Sequence, residues 1–268
     1  MRVAAVQMNS HADVDGNLQL ADRLLGEAAA DDCTLAVLPE NFALMPVKSR
    51  DKAKHAEEPG DGPIQSFLAN AAQRHRIWIV AGSMPLKSPQ TKRVYGACPV
   101  YDSAGKRQSL YRKIHLFDVK LPGREEAYQE SWSMVPGDDA VTVDTPIGTI
   151  GLTICYDIRF PELYRRLVDD GATVFTVPAA FTKVTGAAHW KTLLRARAIE
   201  NLAYVIAPGQ YGDHPDNRST YGHSMIIDPW GRVLAEQVEG NCHVAADLDP
   251  EMPAKLRSDF PALANRRF

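Results

Sequence analysis

The chain has 268 residues, of which 45% are hydrophobic and 24% charged, and its formal charge is −3. These values are typical of a globular protein, and the near-neutral charge argues against a nucleic-acid binder, which needs a basic surface for the phosphate backbone. No apolar run approaches the roughly 18 residues of a membrane span, and the polar N-terminus is not typical of a secretion signal. We therefore expect a cytoplasmic protein of enzyme size, with neither nucleic-acid nor membrane partners.

Strand and helix patterns alternate along the chain. Short apolar runs predict strands at residues 3–8, 35–38, 77–81, 94–101, 108–111, 142–144, 149–154, 173–177, 204–207, 223–227, 232–235 and 243–246. Apolar residues at helical spacing predict helices at 18–29, 64–72, 161–171 and 190–202, and the polar segment 46–63 predicts a loop. Because βα units are mixed with hairpins, we expect a layered α/β domain.

Cys155 is the best placed of the four cysteines to act as a nucleophile. It lies between an apolar strand and a helix that begins near Pro161, a bend that presents a side chain to solvent. We expect the helix N-terminus to favour the thiolate, although a small buried core residue is the alternative for any cysteine. The others, Cys33, Cys98 and Cys242, form no C-x-x-C pair, which predicts reduced thiols and no zinc site.

Two charged residues complete a candidate catalytic set. Glu40 directly follows a predicted buried strand, where partial burial would raise its pKa and make it a general base for the thiol. Lys113 follows a predicted hairpin strand, where a fixed ammonium would stabilise the oxyanion formed on attack at a carbonyl. Taken alone, the first could be an exposed turn residue and the second a surface lysine. A histidine acting as the base is a further alternative.

Three sequence blocks resemble the signature of the nitrilase superfamily, the carbon–nitrogen hydrolases. In the family's order, they are Leu38-Pro39-Glu40, Tyr111-Arg112-Lys113-Ile114-His115-Leu116 and Gly151-Leu152-Thr153-Ile154-Cys155-Tyr156-Asp157. The resemblance covers essentially the whole chain and implies a single domain, residues 1–268, folded as a four-layer α-β-β-α sandwich. It also implies a catalytic cysteine that hydrolyses an amide or nitrile, no metal or organic cofactor, and a homodimer or larger homo-oligomer.

Further blocks resemble the Nit branch of this superfamily, among them Phe160-Pro161-Glu162-Leu163 and Tyr221-Gly222-His223-Ser224. That branch implies an amidase for a small carboxylate-bearing substrate, which releases ammonia through a cysteine thioester, with deaminated glutathione as the expected substrate. The alternatives are an ω-amidase acting on α-ketoglutaramate, another aliphatic amidase, an N-carbamoyl hydrolase, and a non-catalytic interaction protein that retains the fold. Residues 207–212 depart from the branch's pattern, which leaves the substrate open.

The remaining site residues are predicted from the resemblance and from their positions near the cysteine block. Glu130, within Gln129-Glu130-Ser131, is implied by the resemblance to orient the substrate or to support the catalytic lysine. We expect the backbone N–H of Tyr156 to bind the oxyanion, and Phe181 and Thr182 to line the pocket. The basic residues that could bind a substrate carboxylate, or lie on the surface instead, are Arg159, Lys183 and Arg195.

Overall fold

The structure, a computed structural model, describes residues 1–90, 92–120, 127–215 and 218–267. Within these ranges the strands are β1 (Arg2–Gln7), β2 (Leu35–Val37), β3 (Trp78–Val80), β4 (Met84–Lys87), β5 (Val94–Tyr101), β6 (Arg107–Arg112), β7 (Asp118–Lys120), β8 (Ala127–Gln129), β9 (Thr142–Thr145), β10 (Gly148–Leu152), β11 (Val174–Thr176), β12 (Tyr204–Ala207), β13 (Tyr211–Asp213), β14 (Ser219–Tyr221), β15 (Ser224–Ile227), β16 (Val233–Gln237) and β17 (Cys242–Asp247). The α-helices are α1 (Val14–Ala30), α2 (Pro63–His75), α3 (Pro161–Asp169), α4 (Lys183–Asn201) and α5 (Met252–Asp259), and shorter helical segments lie at Ser49–His55, Glu130–Trp132 and Cys155–Arg159.

Most of the described strands belong to two large sheets. The first has the order β17-β1-β2-β3-β5-β4, with β6 beside β5, and the second has the order β16-β15-β12-β11-β10-β9. Strands β1, β2 and β3 run parallel in the first sheet, as do β10, β11 and β12 in the second. Ligands of open α/β sheets bind beyond the carboxyl ends of such parallel strands, so these ends are where a site is expected.

Strand β1 illustrates how the layers are held together. Val3 and Ala5 point into the core between the two sheets, whereas Ala4 and Val6 point to the opposite side and pack beneath α1 and α2. This alternation is the two-residue period of a β-strand. The second sheet is covered on its outer side by α3 and α4. The order helices, sheet, sheet, helices confirms the predicted four-layer α-β-β-α sandwich.

Helix α4 begins seven residues earlier than the sequence pattern predicts, at Lys183 instead of residue 190. Gly186 weakens the helical pattern because glycine has a low helix propensity. Its lack of a side chain is needed, since a Cβ there would lie 2.3 Å from the Tyr221 ring. His189 and Trp190, expected at the start of this helix, therefore lie within it.

The segment 46–63, predicted as a loop, contains the short helix Ser49–His55. Strands β4, β7, β8, β13 and β14 also have no counterpart among the predicted strands. Each has three or four residues, which is too short for an alternating pattern to stand out from a loop. None of the described helices combines the length and apolarity needed to span a membrane.

Candidate active site

Cys155 lies at a strained bend directly after β10. Its φ is +49°, in the left-handed region that is unfavourable for a residue with a side chain. The bend is held by hydrogen bonds, because the Cys155 N–H donates to the Pro178 carbonyl at 2.9 Å and the Ile154 N–H donates to the Asp157 carboxylate at 2.8 Å. The bend agrees with the sequence-based prediction, but the side chain is only 8% exposed and faces a cavity instead of open solvent.

Three charged side chains share this cavity with the thiol. The Lys113 ammonium donates to Glu40 Oε1 at 2.7 Å and to Glu130 Oε2 at 2.9 Å. Glu40 Oε2 also accepts a hydrogen bond from the Ala180 N–H at 2.8 Å. One buried cation therefore bridges two carboxylates beside Cys155, and all four predicted catalytic residues are brought together.

The site is assembled from both sheets of the sandwich. Glu40 follows β2 and Lys113 follows β6, both in the first sheet, whereas Cys155 follows β10 of the second. Phe181 and Thr182 follow β11, the parallel neighbour of β10. The catalytic groups therefore come close together only when the two sheets pack face to face.

The charges of Glu40 and Lys113 stabilise each other. Burial by itself would raise the pKa of the Glu40 carboxyl, but the Lys113 ammonium outweighs burial and holds that pKa below its usual value. Burial would lower the pKa of Lys113, but Glu130 and Glu40 hold it well above its usual value. The expected upward shift of the Glu40 pKa is therefore wrong, because this carboxylate is buried together with a cation.

For the Cys155 thiol, by contrast, the surroundings favour the uncharged form. Burial raises its pKa well above the usual value, and the Glu40 carboxylate raises it further, while Lys113 offsets only part of the increase. The expectation that the helix N-terminus favours a thiolate is therefore wrong for the resting site. The helical turn at the cysteine is short, and burial and a full negative charge outweigh its partial charge.

Asp157 joins the cysteine bend to the segment that carries the lysine, and the sequence analysis does not single it out. Its Oδ2 accepts a hydrogen bond from the Tyr111 hydroxyl at 2.7 Å, and its Oδ1 accepts one from the His115 N–H at 3.1 Å. The side chain is fully buried. Its position two residues after Cys155, inside the block that resembles the family signature, was the available signal.

The cavity has a volume of about 900 Å³. Its described lining comprises Glu40, Asn41, Met45, Lys48, Ser49, Arg50, Lys52, Lys113, Phe117, Ala127, Tyr128, Gln129, Glu130, Trp132, Ser133, Cys155, Tyr156, Ala180, Phe181, Thr182, Thr185, Arg218, Ser219 and Thr220. No histidine occurs in this part of the lining, which disfavours a Cys–His pair. Across the described ranges, no three His, Cys, Asp or Glu side chains are grouped so that they could hold a metal ion.

The predicted substrate-binding residues divide into two groups. Tyr156, Phe181 and Thr182 line the cavity as expected, and Thr182 also caps α4 by accepting a hydrogen bond from an N–H of its first turn. Arg159 lies outside the described lining, with its guanidinium 5.2 Å from the centre of the Phe181 ring and in contact with His189. Its guanidinium therefore contacts the aromatic rings of two lining residues and does not itself line the cavity.

The other basic residues are also distributed differently from the prediction. Lys183 and Arg195 are exposed and do not line the cavity. Four basic residues that the sequence analysis missed do line it, namely Lys48, Arg50, Lys52 and Arg218. Their segments are polar and resemble solvent-exposed loops in the sequence, so only the tertiary fold identifies them.

Comparison with known proteins agrees with this site. Residues 2–257 match the carbon-nitrogen hydrolase family. A deaminated glutathione amidase from Synechocystis is 41% identical and one from Homo sapiens is 40% identical; each comparison covers 99% of this chain, and they cover 97% and 82% of the respective relatives. The crystal structure of Nit3 from Saccharomyces cerevisiae, described as a member of branch 10 of the nitrilase superfamily, is 35% identical with a TM-score of 0.89, covering 100% of this chain and 97% of that one.

The chain belongs to the carbon–nitrogen hydrolase family, which confirms the resemblance inferred from its three sequence blocks. It is accordingly a hydrolase that acts on amides. The family match extends over both sheets and all four layers of the sandwich, so the site described above lies within the matched region.

Proposed function

We propose that this protein is a deaminated glutathione amidase that uses Cys155 as its nucleophile. The observation that carries the catalytic part is the bridging of Glu40 and Glu130 by the buried Lys113 ammonium, in the cavity that also holds the thiol. The substrate is supported by relatives of that name, which are 37–41% identical over nearly the whole chain.

In the proposed mechanism, the Cys155 sulfur attacks the amide carbonyl carbon while Glu40 accepts the thiol proton. The pKa shifts support this division of roles, because the resting thiol is neutral and the carboxylate is charged. Collapse of the tetrahedral intermediate expels the amine, which takes the proton from Glu40, and leaves a thioester. Glu40 then deprotonates the attacking water, and hydrolysis releases the acid and returns the proton to the cysteine sulfur.

Two donors are placed to stabilise the oxyanion of each tetrahedral intermediate. Lys113 supplies a permanent positive charge, and the Tyr156 N–H donates no hydrogen bond to another described residue. A single donor of this kind contributes about 3 kcal/mol to lowering a barrier. Glu130 acts as a positioning residue, because both of its carboxylate oxygens accept hydrogen bonds from the Lys113 ammonium, at 3.0 and 2.9 Å.

The leaving group distinguishes the leading substrate from its main alternative. The scissile bond of deaminated glutathione is a secondary amide, so the amine released is cysteinylglycine. The ammonia expected from the sequence therefore belongs to the ω-amidase alternative, in which α-ketoglutaramate is a primary amide. Both reactions release α-ketoglutarate, which provides a common measure of turnover.

A substrate panel tests the proposal directly. Purified protein is assayed for α-ketoglutarate release from deaminated glutathione and from α-ketoglutaramate, and kcat/KM is compared for the two. We expect the larger value for deaminated glutathione. A larger value for α-ketoglutaramate would assign the protein as an ω-amidase, and no turnover of either compound would refute both substrates.

The nucleophile is tested by Cys155→Ala. We expect turnover to fall at least about 10³-fold, because the substitution removes the only thiol in the described lining of the cavity. The thermal unfolding temperature should change little. Cys242→Ala is the matched control, since this half-exposed cysteine lies outside the lining. Full activity in Cys155→Ala would exclude the thioester mechanism.

We also propose a cytoplasmic location and a homodimeric or larger assembly. The location is supported by the four cysteines, which are all free thiols and suit a reducing compartment. The assembly is supported by large apolar side chains that remain exposed on α4, Val184 and Ile199.

A further inference from the structure

The charges that line the cavity are not balanced. Its two described acidic residues, Glu40 and Glu130, are both bound to Lys113. The other four basic lining residues, Lys48, Arg50, Lys52 and Arg218, form no ion pair within 4 Å with a carboxylate of the described residues. An excess of positive charge in a concave site attracts an anion.

Lys52 is the buried member of this group. Its side chain belongs to the short helix Ser49–His55, and the residue is only 6% exposed. The ammonium donates to Asn41 Oδ1 at 2.9 Å, and among the described residues this neutral amide oxygen is its one hydrogen-bond partner. An ammonium has three N–H donors, and the carboxylates of Glu130 and Glu40 lie near enough to act on the charge of Lys52 without forming an ion pair with it. An anion in the cavity would therefore complete the surroundings of this buried charge.

Arg218 provides an independent second observation. Its Nη2 donates to the Pro46 carbonyl at 2.9 Å, whereas its buried Nε has no acceptor among the described residues. Arg218 also lies close enough to Lys52 for its positive charge to act to lower the pKa of that ammonium. Two neighbouring cations that line the cavity, neither of them paired with a carboxylate of the described residues, are complementary to a carboxylate, whose planar shape matches the guanidinium fork.

We propose that Lys52, together with Arg218, binds a carboxylate of the amide substrate and thereby selects anionic over neutral amides. This inference rests on the proposed amidase function and assigns the carboxylate-binding residues of that same site. It replaces the positions expected from the sequence, Arg159, Lys183 and Arg195, none of which lines the cavity.

Such a subsite also has a pH limit. Burial lowers the pKa of Lys52 to about 8; the nearby Glu130 and Glu40 act to raise it, and Lys113 and Arg218 act to lower it. The Lys52 side chain is positively charged below this pH and loses its charge above it. KM for an anionic substrate is therefore expected to rise above about pH 8 in the wild type, and to stay constant there in Lys52→Arg, because arginine keeps its charge.

The experiment compares Lys52→Met, which removes the charge at similar length, with Lys52→Arg, which keeps it. Lys54→Met is the matched control, because this lysine lies on the same short helix, pairs with Asp51 and does not line the cavity. We expect Lys52→Met to raise KM about tenfold or more, with kcat changed less than threefold. Lys54→Met is expected to remain within about threefold of the wild type, and Lys52→Arg is expected to recover most of the KM effect of Lys52→Met because it keeps the charge.

Two substrates show which carboxylate is bound. α-Ketoglutaramate carries a carboxylate only on the acyl side, whereas deaminated glutathione carries a second one on the leaving amine. An equal rise of KM for both compounds in Lys52→Met supports binding of the acyl-side carboxylate. A rise for deaminated glutathione alone supports binding of the carboxylate on the leaving group.

Unchanged KM values in Lys52→Met, for both compounds, would overturn the inference. A fall in kcat at constant KM in Lys52→Met would also overturn the inference. So would slower alkylation of Cys155 in this variant by the neutral reagent iodoacetamide, because either result indicates a structural role near the catalytic residues. If the wild type hydrolyses neither compound, the proposed function fails separately. The inference is then tested by adding α-ketoglutarate during alkylation. We expect it to slow alkylation of Cys155 more in the wild type than in Lys52→Met, and equal slowing would overturn the inference.

Discussion

At the scale of single residues, the site favours a neutral Cys155 thiol next to a negatively charged Glu40 carboxylate. The buried Lys113 lowers the pKa of Glu40, and the charged carboxylate in turn raises the pKa of the Cys155 thiol. The neutral thiol is therefore favoured in the resting site, and the proposed mechanism deprotonates it only as it attacks a substrate carbonyl. Coupling deprotonation to attack avoids a persistent thiolate, which is the form of cysteine that is most susceptible to oxidation.

This coupling predicts opposite effects of Glu40→Gln on hydrolysis and on thiol acidity. We expect kcat for amide hydrolysis to fall about 10²- to 10⁴-fold, because the general base is lost. The midpoint of the pH profile for Cys155 alkylation is expected to move to lower pH, because removing the neighbouring negative charge lowers the thiol pKa while Lys113 remains. The Cys155→Ala protein provides the background from the other cysteines.

Glu58→Gln is the control for this substitution, since that carboxylate is exposed and pairs only with the surface residue Lys87 among the described residues. It should change neither measurement. Unimpaired hydrolysis in Glu40→Gln would contradict the assignment of the base and would favour a histidine in that role.

At the scale of secondary-structure elements, the positions of the proposed catalytic side chains depend on hydrogen bonds between the segments that follow the strands. Lys113 follows β6, and its N–H donates to the Gly96 carbonyl of β5 at 2.9 Å. Asp157 connects the segment after β6 to the bend after β10, because its carboxylate accepts hydrogen bonds from both. One buried carboxylate thus fixes the position of the Cys155 bend relative to the segment that carries Lys113.

We therefore expect Asp157→Asn to affect both stability and catalysis. The amide presents two N–H donors to groups that are donors themselves, which leaves buried hydrogen-bonding groups unsatisfied. The unfolding temperature should fall by about 5–10 °C and kcat by about 10- to 100-fold, since small displacements of reacting groups are costly. Thermal unfolding and steady-state kinetics measure the two effects.

Asp139→Asn is the comparison variant, because the Asp139 side chain is exposed and forms no hydrogen bond or ion pair with the other described residues. It should leave both quantities unchanged. If Asp157→Asn retained wild-type stability and kcat, the connecting role of this carboxylate would be wrong.

At the scale of the whole molecule, packing of the two sheets creates the cavity and leaves a helical layer on the outside of each sheet. Exposed large apolar side chains on α4 include Val184 and Ile199, with Trp230 and Phe260 in contact with each other nearby in the second half of the chain. Apolar residues on an outer helical face are suited to burial against another subunit. This supports the homo-oligomer expected from the family resemblance.

Sedimentation velocity at micromolar concentration tests the assembly. We expect a dimer or a larger species for the wild type and a shift toward the monomer for Ile199→Asp, because a buried unpaired carboxylate opposes association. Val47→Asp, at an apolar residue that is exposed elsewhere on the chain, should not change the sedimentation coefficient. A wild-type monomer at this concentration would contradict the prediction.

The sequence alone was sufficient for features encoded in local patterns. The helical periodicity of α1 and α2 and the proline and glycine that bound α3 predict these helices close to their observed limits. The three blocks around Glu40, Lys113 and Cys155 predict the family, which the comparisons confirm. Such features are readable because each depends on residues within about one element of each other.

Only the tertiary structure decided the environment of the charged groups. Whether Glu40 has a raised or a lowered pKa depends on a lysine 73 positions away in the chain, and the two meet because their strands belong to one sheet. Lys52 and Arg218 lie in segments that are polar in sequence, yet folding places both at the wall of the same cavity. The pKa of a side chain and its access to substrate are set by neighbours in space, and these are determined by packing of the two sheets and not by local sequence.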